Sequence, residues 1–213
     1  MHKRLNIVAA VGLALGAVFG LAGTLVTEPH LQATLWGIDS VGLVIATSLL
    51  SMKFARQRND FIAAGFLVFA LGESVMLSGT AAGLVGSVPS FAAGTALWAA
   101  ALLLVSIPTE FVIWVRLLGV ATSILFVITS ARIYWGEALL PTASPLPFYA
   151  YPFLVLTFIG WIWTLLREAS DDDLKRGTEQ PVRQESDARE PRTRAKIAKQ
   201  PNASTRRITR HRV

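Results

Sequence analysis

Cysteine is absent from the 213 residues. Disulfide frameworks, thiolate metal sites and cysteine nucleophiles are therefore excluded. Histidine is nearly as scarce: His2, His30 and His211 all lie outside the long apolar runs. No imidazole is thus set inside such a run to ligate haem or a metal, or to act as a base. Charge is short as well, at 16% of residues against 53% hydrophobic, and mean hydropathy is +0.49. An ordinary soluble domain is less apolar than this. The chain also lacks an H-E-x-x-H pattern, a G-x-S-x-G served by a usable histidine, and a P-loop. No catalytic residue, cofactor or metal site is expected, and an intramembrane enzyme is the least favoured function. Nucleic acid is not an expected partner, because no basic face interleaved with aromatics is visible.

What is present is a series of six long apolar runs, at about 5–26, 31–52, 61–84, 89–107, 108–131 and 148–166. Runs near ~20 residues are long enough to cross a ~30 Å hydrocarbon core as helices. The expected fold is an all-α membrane protein: a bundle of six transmembrane helices over 1–167, then a disordered, basic cytoplasmic tail over 168–213. Gly20-Leu21-Ala22 would pass as a signal-peptide cleavage site, but the first run exceeds the usual ~7–15 residues and is expected to be retained as a span. Gly12, Gly16 and Gly20 form two consecutive GxxxG steps, a smooth stripe for close helix packing. Pro108 is expected to open the fifth helix directly, with Glu110 in its first turn. Trp114, Trp161 and Trp163 are expected at the inner membrane interface, and Trp98, mid-span, as packing between helices.

Basic residues assign the orientation. Lys3–Arg4, Lys53–Arg58 and the residues from Arg167 onward all fall at the same end of an alternating bundle. The excess of Lys and Arg in cytoplasmic loops then sets both termini in the cytoplasm, most simply of a bacterial-type cell membrane. After Glu190 the tail holds no acid, and its arginines and lysines suit contact with anionic lipid. The bilayer is the expected surrounding, and a homo-oligomer or a membrane partner is an open possibility.

Within the six runs, ionisable groups are few: Asp39, Glu73 and Arg116, besides Glu110 at a helix start. An ionisable group at membrane depth is expensive and marks a functional site by default. Asp39 lies eight residues past Leu31, roughly 12 Å from the outer face at ~1.5 Å per residue. Glu73 lies twelve residues past Phe61, roughly 18 Å up, which leaves about 12 Å to the outer face of a ~30 Å core. The two carboxyls thus come out level on consecutive helices, with Arg116 on the fifth able to reach toward them. Two acids so placed do not both ionise cheaply, which is the physical basis of a proton or cation site. As structural groups they would only hydrogen-bond a neighbouring helix through Ser40, Ser74 or Ser78.

Two functions follow. The one expected first is non-catalytic, a polytopic membrane subunit whose small-residue stripes pack helices or bind a partner. The alternative is a small proton- or cation-coupled transporter or channel working through Asp39, Glu73 and Arg116. A polar cavity reaching both acids is the observation that separates them.

Overall fold

Six long helices account for most of the computed structural model, which describes residues 2–171. Among those residues 82% are helical and none is in a strand. Helix α1 combines His2–Leu15, a π-helical turn Gly16–Gly20 and Leu21–Leu25. It is followed by α2 (Pro29–Arg56), α3 (Asp60–Thr80), α4 (Val88–Ser106), α5 (Ile113–Tyr134) and α6 (Ala150–Asp171). All six are long and apolar enough to cross a membrane. Residues 168–171, expected in the tail, extend α6 instead; the remainder of the expected disordered tail, and its lipid contact, lie outside the described residues.

Local chemistry places the ends. Glu28 precedes Pro29 and accepts from the backbone N–H groups of His30, at 3.0 Å, and Leu31, at 2.5 Å. It thereby supplies acceptors that the first turn of α2 lacks. Those two donors hold its carboxyl below the usual carboxylate range. Asn59 caps α3 through Ile62 N–H. That helix stops at Thr80, short of Leu84, and a separate turn Gly83–Gly86 follows, opened by Gly83 at φ 74. A side chain is strained at that angle, and glycine is not.

The fifth helix differs from expectation. It starts at Ile113, not at Pro108, and Val112 before it is extended (φ −60, ψ 150). Two contacts hold the intervening residues out of a helix. Phe111 is buried in the aromatic core, and Glu110 accepts from Asn59 Nδ2 at 3.0 Å.

Helices α1 to α5 pack against one another in sequence order, and α6 reaches back across the bundle within the unit Met1–Ala169. Asn6 of α1 donates to Leu165 O of α6. Trp161 of α6 lies edge-on to Phe66 of α3, with centroids 4.9 Å apart, and Tyr151 approaches Phe126 of α5. Trp161 is thus only 2% exposed, whereas Trp114 and Trp163 are 43% and 45% exposed. Packing against Phe66, Phe69 and Phe111 turns Trp161 into the core, away from the interface belt in which it was expected. Trp98 stacks on Phe69 at 5.1 Å, the interhelical packing expected of it. Outward-facing Val11, Leu67, Leu71 and Ile124 are about half exposed, as suits helices with lipid on one side.

The glycine stripe is used within the chain. A Cβ at Gly12 would lie 2.5 Å from Gly42 O and 2.8 Å from Ala46 Cβ of α2, one at Gly16 would overlap the Leu43 side chain, and one at Gly20 would meet the Asp39 carboxylate at 2.8 Å. The strip a partner helix would need is therefore covered by α2. The obstacle at Gly12 is a backbone carbonyl, which has no rotamer to move to. Replacing Gly12 by Leu should cost about 2 kcal/mol or more by overpacking, read as a lower thermal midpoint in detergent. Leu at the outward Val11 should leave the midpoint unchanged, and equal midpoints for both variants would show that the stripe does not bind α2.

A candidate cavity built on two buried acids

Polar side chains within these helices mostly satisfy themselves. Thr47, Thr95, Thr122, Thr129 and Thr157 each donate to the carbonyl four residues back. This leaves no bonding capacity of the hydroxyl hydrogen facing apolar surroundings. Ser123 crosses from α5 to donate to Ala99 O of α4 at 2.7 Å. Against this background the two acids stand out.

Asp39 and Glu73 line one cavity of about 90 Å³, partly open to the exterior. That is room for several water molecules or a small solute. Ser40, next to Asp39 on α2, donates to Glu73 Oε1 on α3 at 2.5 Å. Asp39 is 7% exposed and Glu73 2%. Each keeps one buried oxygen, Asp39 Oδ1 and Glu73 Oε2, with no hydrogen-bond partner. A third residue of the same cavity wall, Trp98, also holds a buried polar atom without a partner, its indole Nε1. Buried polar groups are nearly always partnered, which sets these three residues apart from most of the bundle.

The approach of the helices explains the space. Gly20 leaves room for the Asp39 carboxylate. The π-helical turn Gly16–Gly20 faces it, and π-turns inside α-helices often mark functional sites. The wall is otherwise mostly apolar, with Trp36, Phe91, Tyr151 and Phe158, but Thr24, Thr80, Ser87 and Ser90 also line it. Tyr151 donates its hydroxyl to Pro141 O at 2.9 Å, which brings the 135–149 loop over the cavity.

Position along the bundle is one-sided. Apart from Leu43 and Trp98, which sit just past the midpoints of α2 and α4, every helical lining residue belongs to the half of its helix nearest the loops 26–28, 81–87 and 135–149. At the other end three helices are tied together. Lys53, only 2% exposed, pairs with Glu168 of α6 at 2.5 Å, and Asn6 Nδ2 reaches the same carboxylate at 3.2 Å. This joins α1, α2 and α6 where the basic clusters lie.

No protein-family model, curated protein or solved structure matches this chain. The site is thus read from its own chemistry.

Of the residues expected in a polar site, Asp39 and Glu73 are brought together and Arg116 is not. Its Nε donates to Ser106 O and its Nη2 to Ile107 O, both at 2.8 Å. Those carbonyls end α4 and lack helical partners, so the guanidinium closes the α4–α5 turn. Sequence reasoning missed the indole of Trp98 as a cavity group, because its position signalled packing alone. It also missed the Asn6–Lys53–Glu168 cluster. Lys53 was counted with a loop, and the signal available was Asn6, a lone amide in an otherwise apolar run.

The Ser40–Glu73 bond carries a direct expectation. Ser40→Ala removes the one donor to a buried carboxyl and should cost about 1–3 kcal/mol, measured as a lower midpoint of thermal unfolding. Ser78→Ala, whose exposed hydroxyl bonds only its own helix, should be neutral. A silent Ser40→Ala would mean that the contact does not join α2 to α3.

Proposed function

We propose that this chain is an integral membrane protein of six spans with both termini cytoplasmic, and that it acts as a small proton- or cation-coupled transporter through Asp39, Ser40 and Glu73. Six helices of membrane length and apolar composition support the first part. The observation that carries the second is the cavity itself: both acids line it, and each has a buried oxygen without a partner. A purely structural pair would be expected to close on hydrogen-bond partners and leave no space. The glycine stripe, which would suit a subunit role, is occupied by α2.

The orientation follows from charge. The basic clusters lie at the Lys53–Glu168 end, so the cavity half faces outward. A proton or cation would enter between α1, α3, α4 and α6, exchange at the acid pair, and leave after the ties at the basic end open. Intramembrane carboxyls serve as proton relays in this way in pumps and transporters.

The test is purified protein in liposomes under an imposed pH gradient, with Glu73→Gln beside wild type. Glutamine keeps the shape and accepts from Ser40 but releases no proton. Arg116 is bonded elsewhere, so this substitution should leave the thermal midpoint within a degree or two. Proton movement should fall to that of protein-free liposomes. Equal flux in both proteins, or no flux in wild type above empty liposomes, would contradict the proposal.

A further inference from the structure

The same cavity also specifies the kind of solute it takes, an inference that rests on its being a transport site. Its unpartnered atoms form a hydrogen-bond template. Asp39 Oδ1 and Glu73 Oε2 are acceptors in need of donors, and Trp98 Nε1–H is a donor in need of an acceptor. A ligand that satisfies all three brings N–H or O–H hydrogens at one end and an oxygen at the other.

Charge narrows this. Two acids in a mostly apolar pocket favour a positive group, and aromatic faces at Trp36, Phe91, Tyr151 and Phe158 favour one too. An inorganic monovalent cation is a poorer match, because most of the cavity wall is apolar. The oxygens besides the acids include the hydroxyls of Ser40, Thr24, Thr80, Ser87 and Ser90, and no group of three or more His, Cys, Asp or Glu suited to a metal exists among the described residues. A polyamine would need both acids ionised side by side in these surroundings, which is costly. From these constraints we infer that the cavity binds a small primary ammonium compound carrying one hydroxyl or carbonyl oxygen. The ammonium sits between Asp39 and Glu73, and the oxygen accepts from the Trp98 indole.

The inference is tested by calorimetric titration of the full-length protein in lipid nanodiscs at pH 7, with 2-aminoethanol as the probe. Ethylene glycol serves as the uncharged analogue, propylamine as the analogue without oxygen, and sodium chloride as the inorganic cation. Saturable binding of 2-aminoethanol is expected, with ethylene glycol and sodium at least tenfold weaker. Asp39→Asn should weaken 2-aminoethanol at least tenfold. Trp98→Phe keeps a ring against Phe69 but loses the N–H. It should weaken 2-aminoethanol several-fold and leave propylamine unchanged, a split that misfolding would not produce. Equal binding of ethylene glycol, tighter binding of sodium, or no saturable binding of any amine would overturn the inference; the last is the result for a cavity holding only water. If that happens while Glu73→Gln still abolishes proton movement, the solute class is wrong and the transport reading stands. If proton movement is also absent, both fall.

Discussion

A polar atom buried among apolar helices must find a partner, since there is no water at hand to supply one. That constraint organises this bundle. Threonine hydroxyls turn back on their own helices, Ser123 bonds across to α4, Lys53 takes Glu168, and Arg116 takes the loose carbonyls at the end of α4. Four buried side-chain atoms among the described residues escape it: Asn6 Oδ1, Asp39 Oδ1, Glu73 Oε2 and Trp98 Nε1. Three of the four belong to residues that line one cavity. It is this concentration of exceptions in one place on which the proposed site rests.

The two ends of the bundle are built differently, and the difference has a mechanical reading. At the basic end, α1, α2 and α6 are joined by a buried lysine, a carboxylate and an amide. Removing one partner of such a cluster leaves a charge without compensation. At the other end the helices stand apart enough to leave a cavity, and the 135–149 loop lies over it through Pro141. The acid cavity and the Lys53–Glu168 pair therefore lie toward opposite ends of the bundle.

Much of this was legible in the sequence, for physical reasons that differ by feature. Helix number and approximate bounds follow from run length and apolarity. The level match of Asp39 and Glu73 followed from helix rise alone, because both sit on straight, consecutive helices. The glycine stripe announced close packing but not its partner, since GxxxG specifies a shape and not what fills it. Arg116 was misplaced because its reach was judged from depth, without the competing carbonyls of Ser106 and Ile107. The start of α5 was misjudged for a related reason: Pro108 permits a helix start, but burial of Phe111 requires a turn first. The place of Trp161 in the sequence suits a belt, while its contacts with Phe66, Phe69 and Phe111 decide that it faces the core.

The account stands on the acid cavity opening on the face opposite the basic clusters. The absence of native cysteine makes that directly measurable, because any introduced thiol is the only one present. Thr80→Cys places a thiol on the cavity wall, and Thr157→Cys places one in the buried core outside it. In sealed vesicles of known orientation, a membrane-impermeant maleimide should label position 80 from the side away from Lys53–Arg58 and leave position 157 unlabelled from either side. Labelling of position 80 only from the basic side, or from neither side, would contradict the account.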